Sequence, residues 1–212
     1  MYDYLTSMLM IVIFSYLLGS IPTAYIVARL KNINIFEVGS GNMGATNVVR
    51  ALGPRWGVGV LLFDVLKGVI AITIARMLLP DSKGAATTVS AIVVVIGHNW
   101  SLFAALITGT LRGGKGAATA FGTLLMIAPV QVIVGMAVLG GLVVARTRYV
   151  SLGVLLAFAL ATVWMTVLIL QQKLEPDLMT YSWVLALMIM VRFRDNIQRL
   201  LAGTERRLGE RT

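Results

Sequence analysis

Long apolar stretches alternate with short polar ones along the chain, and the apolar stretches are too long to be strands. Five of them, residues 5–28, 57–79, 85–107, 151–170 and 178–191, have the length and composition of membrane-crossing helices. The last is short, with Tyr181 and Trp183 near one end, where interfacial anchors commonly sit. No basic residue precedes the first, which argues against a cleaved signal peptide. A sixth stretch, residues 117–145, is long enough to cross once, but an Ala-Pro step at 128–129 and a Gly-Gly pair at 140–141 interrupt it.

Charge placement separates the two topologies this allows. If residues 117–145 cross once, the turn with Arg146 and Arg148 falls opposite the other arginine-rich loops. So does the tail with Arg192, Arg194, Arg199, Arg206, Arg207 and Arg211. If the stretch enters and returns as two helices broken at Pro129, the basic segments share one side. Of the 18 Lys and Arg, only Lys67, Arg76, Lys83 and Lys173 then lie elsewhere, and the far side carries Asp3, Asp81, Glu175 and Asp177. The positive-inside rule favours this second arrangement. Broken helices are tolerated at membrane depth where protein covers them. The expected fold is all-α: a polytopic membrane helical bundle of seven helices, five full spans plus a re-entrant pair, with the N-terminus outside and one domain over residues 1–212.

Composition supports lipid as the solvent. The chain is 58% hydrophobic and 13% charged, with a mean hydropathy of +0.88. A soluble protein of this length has too little interior for so much apolar surface. The absence of cysteine removes thiol nucleophiles, disulfides and cysteine metal sites. A lone histidine, His98, and nine acidic residues without ligand spacing predict neither a metal nor another cofactor. The net charge of +9 is spread over short segments between spans. It therefore points to anionic small molecules and membrane lipids as partners, and not to nucleic acid.

Four polar segments remain as candidate chemistry. Residues 39–50 read Gly-Ser-Gly-Asn-Met-Gly-Ala-Thr-Asn-Val-Val-Arg. Glycines let backbone N–H groups converge on an anion, Ser40, Asn42, Thr46 and Asn47 add neutral hydrogen-bonding groups, and Arg50 adds a planar fork for two phosphate oxygens. Residues 112–119 read Arg-Gly-Gly-Lys-Gly-Ala-Ala-Thr. Here Gly113, Gly114 and Gly116 lead into a helix N-terminus, a ready anion cradle, and Lys115 supplies a mobile cation. The spacing is not that of a Walker loop, so nucleotide hydrolysis is not implied. The third segment, Arg-Thr-Arg-Tyr-Val-Ser at 146–151, ends in Ser151. The fourth, Arg-Phe-Arg-Asp-Asn-Ile-Gln-Arg at 192–199, contains Asn196, an amide able to orient a hydroxyl or phosphate. His98 reads more readily as a structural hydrogen-bonder than as a base. Asp64 and Lys67, one turn apart within a span, read as an ion pair. No hydrolytic triad is legible, which favours a reaction in which two anions are held side by side and one attacks the other.

In order along nearly the whole chain, these segments resemble the acyl-phosphate-dependent glycerol-3-phosphate acyltransferases of bacterial phospholipid synthesis (PlsY). The matching runs are Gly-Ser-Ile-Pro-Thr-Ala-Tyr at 19–25, the polar run at 40–50, Asp-Val-Leu-Lys-Gly at 64–68 and Gly-His at 97–98. They continue with Gly-Gly-Lys-Gly-Ala-Ala-Thr at 113–119, Arg-Tyr-Val-Ser-Leu at 148–152 and Asp-Asn-Ile-Gln-Arg-Leu at 195–200. The resemblance implies a seven-helix enzyme of the bacterial cytoplasmic (inner) membrane with its active site facing the cytoplasm. It also implies the reaction of acyl phosphate with glycerol 3-phosphate to give 1-acylglycerol 3-phosphate and phosphate, without a cofactor. Carried over to this chain, Ser40 and Arg50 would contact glycerol 3-phosphate. Lys115 with Gly113, Gly114 and Gly116 would hold phosphate oxygens, and Thr46, Ser151 and Asn196 would complete the polar pocket. Either His98 or a substrate phosphate oxygen would take the hydroxyl proton.

Two departures stand out. Relatives commonly carry a histidine where this chain has Phe193, which predicts one substrate contact fewer. The stretch from His98 to Gly113 is longer than usual, which predicts a glycine loop set further from the third span. The rival readings are a transporter of an organic phosphate, which would need matching halves and a polar path across the membrane, and an inactive family member motivated by Phe193.

Overall fold

The computed structural model describes residues 2–210, and Arg211 lies outside them. The regular elements of the described residues are all helices, with no strand among them. They fall into two compact units, the first ending at Met126 and the second running from Ile127 to Glu210.

In the first unit the predicted first span is two helices, α1 (Tyr2–Ser20) and α2 (Thr23–Leu30), because Pro22 cannot donate a helical hydrogen bond. The polar loop 31–44 leads to α3 (Ala45–Leu52), then to α4 (Pro54–Leu78), which starts on a proline whose missing N–H would be unpaired there anyway. The predicted third span is likewise two pieces, α5 (Lys83–Asn99) and α6 (Leu102–Thr108). Ser101 caps α6 by accepting from the Ala104 N–H at 3.0 Å, and Gly109 ends it in the left-handed region at φ 72°. α7 (Ala117–Ile127) closes the unit.

Small residues set the helix spacing in this unit. α1 lies against α5 where Gly19 meets the backbone of Val94 and Gly97 meets that of Tyr16. α4 lies against α7 where Gly68 faces Thr119 and Thr123 and Gly122 faces Val65. A Cβ at any of the four would collide with backbone, and such close approach is how helices gain packing energy when lipid offers no hydrophobic drive. Ser15 and Ser90 add a buried hydrogen bond of 2.9 Å across the α1–α5 contact.

The second unit packs α8 (Val130–Thr147) on α9 (Val150–Leu170), with α10 (Leu178–Arg192) and α11 (Arg194–Leu201) also against α9. Gly140 and Gly153 let α8 and α9 approach. Between α10 and α11 sits Phe193, 5% exposed.

Five stretches are long and apolar enough to cross a membrane: Asp3–Leu30, Pro54–Leu78, Pro80–Thr108, Val130–Thr147 and Val150–Leu170. The expected break at Pro129 is present, but its halves are unequal, 11 residues in α7 and 18 in α8. At 1.5 Å per residue, α7 extends about 17 Å, short of a hydrocarbon core of about 30 Å, whereas α8 extends about 27 Å. α10, expected over residues 178–191, runs from Leu178 to Arg192, 15 residues, and Phe193 follows it as its C-cap.

Candidate active site

In the first unit, loop 31–44 is shaped by a buried amide. Asn47, 1% exposed, donates to the carbonyls of Ile35, Val38 and Asn42 at 3.1–3.2 Å, and its Oδ1 accepts from the Ser40 N–H at 2.8 Å. Gly39 and Gly41 turn the chain at φ 56° and 66°, and a Cβ at Gly39 would collide with that same amide. The sequence groups Asn47 with the candidate substrate-binding residues, and its hydrogen bonds build the loop that carries Ser40 and Asn42. Asn42 donates to the Ser40 carbonyl at 3.2 Å. Ile35, Met43 and Val48 are buried with Ala24, Ala28, Val60 and Ala104, so an apolar floor fixes the loop from beneath. Ser40, Asn42, Thr46 and Arg50 are left half-buried on it.

The glycine loop at 113–116 meets this floor through His98. The Gly114 N–H donates to the His98 carbonyl at 3.1 Å. A Cβ at Gly114 would collide with His98 Nε2 and lie 2.8 Å from the Met43 carbonyl. Loop 31–44, through the Met43 carbonyl, and the end of α5, through His98, therefore both close on Gly114 of the glycine loop. The extra length between His98 and Gly113 was expected to carry the glycine loop away from the third span. It is instead taken up by α6 and the Gly109 turn, and the chain returns to its starting point. Arg112 lies over the Phe36 ring at 5.5 Å, a second link between the two loops. Lys115 is half-buried, and Gly116 at φ 77° turns the chain into α7.

Behind His98 lies a buried polar chain. Its Nδ1 is 3.1 Å from the Thr119 hydroxyl and 3.8 Å from Asp64 Oδ1. Asp64 also accepts from the Thr23 hydroxyl at 3.0 Å and from Lys67 Nζ at 2.6 Å, and Lys67 donates to the Ile21 carbonyl at 2.6 Å. The expected ion pair is present, and the chain break at Pro22 explains its location. Lys67 stands at the carbonyl end of α1 and Asp64 at the N–H end of α2, so each charge meets the helix end of opposite polarity.

In the second unit, Ser151 and Asn196 meet at a residue the sequence reading missed. The Glu205 carboxylate, 6% exposed, accepts from Ser151 Oγ at 2.8 Å, Asn196 Nδ2 at 2.6 Å and Arg199 Nε at 2.8 Å. Burial raises the Glu205 carboxyl, but the hydrogen bonds from Asn196, Ser151 and Arg199, with the Arg199 charge, outweigh it and hold the group below the usual glutamate value. The tail is clasped further by a reciprocal pair. The Leu208 N–H donates to the Arg148 carbonyl at 2.7 Å, and Arg148 Nη2 donates to the Leu208 carbonyl at 2.6 Å. The signal for Glu205 was one of three acids among the tail arginines, with Asp195 and Glu210, which by itself reads as a solvated charge.

Comparison with known proteins agrees with this picture. The model of the family described as glycerol-3-phosphate acyltransferase matches residues 9–203. The chain is 42% identical over 204 residues to a glycerol-3-phosphate acyltransferase of Halalkalibacterium halodurans, covering 95% of this chain and 96% of that one. It is 41% identical over 210 residues to one from Thermus thermophilus, covering 98% of each. Among solved structures it is similar to the crystal structure of PlsY (YgiH), an integral membrane glycerol 3-phosphate acyltransferase, in its glycerol 3-phosphate form. The TM-score is 0.84 at 37% identity, over 96% of each chain. The lysophosphatidic acid form of that protein gives 0.82 at 36% identity, again over 96% of each chain.

Proposed function

The chain belongs to the glycerol-3-phosphate acyltransferase family and acylates glycerol 3-phosphate in phospholipid synthesis; from that premise we propose that its donor is an acyl phosphate and that residues 113–116 cradle a substrate phosphate. The observation that carries the site is the meeting of loop 31–44, the glycine loop and His98 at Gly114. It gathers Ser40 on the first loop, Thr46 and Arg50 on α3 just after it, and Lys115 on the glycine loop, all half-buried groups suited to an anion.

The oxygen of the glycerol 1-hydroxyl attacks the acyl carbonyl carbon, and the bond from that carbon to the phosphate oxygen breaks. Inorganic phosphate leaves, and the hydroxyl proton passes to a substrate phosphate oxygen. The donor is already activated, so the protein needs no nucleophile of its own. It acts by holding two anions in reach and by stabilising charge on the leaving phosphate, the task given to Lys115 and the N-terminal end of α7. His98 braces the glycine loop through its carbonyl and ring. Asn42 and Asn47 hold Ser40 in place, while Ser151 and Asn196 stay in the proposal as polar groups ordered by Glu205. The whole chain functions as one acyltransferase domain in the bacterial inner membrane, with both loops on the cytoplasmic side, a placement the arginine distribution supports.

Replacing Lys115 by alanine tests the site. Transfer should fall by about a hundredfold or more, while thermal stability and membrane insertion stay as in the parent. Near-parental turnover would overturn the phosphate cradle.

A further inference from the structure

Two buried asparagines stand in the first unit near its candidate residues, and they differ in one respect. Asn47 has its amide fully engaged with the loop it shapes. Asn99, the last residue of α5, is 0% exposed, yet neither its Nδ2 nor its Oδ1 has a hydrogen-bond partner among the described residues. Burying a donor and an acceptor without partners is unfavourable, and an apolar side chain of similar size would serve the resting fold better. The amide therefore calls for a role outside the resting arrangement.

Its surroundings supply one. Residues 98 and 99 form the seat of the glycine loop. The His98 carbonyl accepts the Gly114 N–H at 3.1 Å, and a Cβ at Gly113 would collide with the carbonyls of both His98 and Asn99. The Asn99 side chain lies against Gly116, where an added Cβ would sit 2.5 Å from Oδ1. Besides the Lys115 ammonium, the polar groups of that segment are peptide N–H and C=O groups flanked by glycines, whose backbone rotates at little steric cost. A modest turn of those peptides would give the amide a donor and an acceptor.

We propose that Asn99 is a positioning residue for the transfer reaction: its amide pairs with the backbone of the glycine loop when a substrate phosphate occupies that loop, and so favours the phosphate-holding arrangement. The inference rests on reading residues 113–116 as a phosphate cradle. A ligand shifts such an equilibrium only through different interactions with the two arrangements, and the amide supplies that difference from behind the loop. The shared ligand chemistry is a phosphate group, carried by glycerol 3-phosphate or by the acyl phosphate.

The test is Asn99→Leu, with Asn99→Ala as a second variant should leucine not be accommodated, both in the full chain and assayed beside Lys115→Ala. The KM of one substrate, the one whose phosphate the loop holds, should rise about three- to tenfold. The other KM and kcat should stay within about twofold, and the melting temperature without substrate should be unchanged or higher. Stabilisation by saturating inorganic phosphate should shrink in the same variants. Unchanged KM values in both Asn99 variants, with Lys115→Ala impaired, would overturn the inference alone. Parental KM values and turnover in Lys115→Ala would overturn the cradle and the inference together. A fall in melting temperature without substrate, with kinetics per folded molecule unchanged, would show Asn99 to be structural and overturn the inference.

Discussion

Asn47 holds the backbone of loop 31–44 through four hydrogen bonds, and Glu205 holds the Ser151, Asn196 and Arg199 side chains through three, so each orders residues that the sequence reading had marked as candidate chemistry. Glu205→Ala should leave the Asn196 amide, the Ser151 hydroxyl and the Arg199 guanidinium without their shared acceptor. The expected loss is about 1–3 kcal/mol of stability, measured by thermal unfolding in detergent. The same carboxylate gives a pH dependence of definite sign. Its folded value lies below the ordinary 4.5, so its contribution is fully present above about pH 4.5 and is lost as pH falls through the folded value. Parent and Glu205→Gln should therefore converge in stability under acid, and a gap that widens there would contradict the assignment. Ser40, Arg50 and Lys115 are proposed as site residues from residue type and spacing. Glu205 was not legible in this way, because its partners come from the start of α9 and from α11, which no local pattern connects. Asn99 was hidden for a similar reason, since the burial of an amide is a tertiary fact.

At the scale of elements, the breaks matter more than the spans. Three of the predicted apolar stretches are divided: at Pro22 between α1 and α2, at Trp100–Ser101 between α5 and α6, and at Pro129 between α7 and α8. The apolar pattern predicts where helices lie but says little of what satisfies their interrupted ends. At the first break the answer is a buried ion pair, with Lys67 on the Ile21 carbonyl and Asp64 on Thr23. That pair was legible from its i, i+3 spacing, whereas its task as a clamp on a broken helix needed the fold. Asp64→Ala should leave the Lys67 ammonium, 1% exposed, without a counter-charge and lower stability by about 3–5 kcal/mol. Thr23→Val, which removes one neutral hydrogen bond, should cost only about 1 kcal/mol. Equal losses in the two variants would show that the charge pair is not what holds the break.

For the whole molecule, the positive-inside argument and the helical architecture are separate observations. The first proposes that the basic segments share the cytoplasmic side, and the second supplies five stretches of spanning length and composition. The chain has no cysteine, so single cysteines can report sidedness against a silent background. Lys83→Cys should react with a membrane-impermeant maleimide in intact cells. Arg55→Cys and Arg146→Cys, all three at exposed positions, should react only after permeabilisation. Labelling of Arg146→Cys from outside would favour a single crossing of residues 117–145 and undo the proposed topology. The family, the helical class and the acceptor substrate were all legible from motif order, because membrane helices and phosphate-binding glycine loops impose strong local constraints on sequence. The packing of α6 and the return of the glycine loop onto His98 were not, since a longer connection can lead away from its origin or fold back to it.

The central claim is that the protein joins an acyl phosphate to glycerol 3-phosphate without any cofactor, and product formation by the purified chain tests it most directly. Glycerol 3-phosphate would be supplied with palmitoyl phosphate, palmitoyl-CoA or palmitoyl acyl carrier protein in separate reactions. The account predicts lysophosphatidic acid and one equivalent of inorganic phosphate from palmitoyl phosphate alone. Product from either thioester at a comparable rate, or none from any donor while glycerol 3-phosphate still binds, would contradict it.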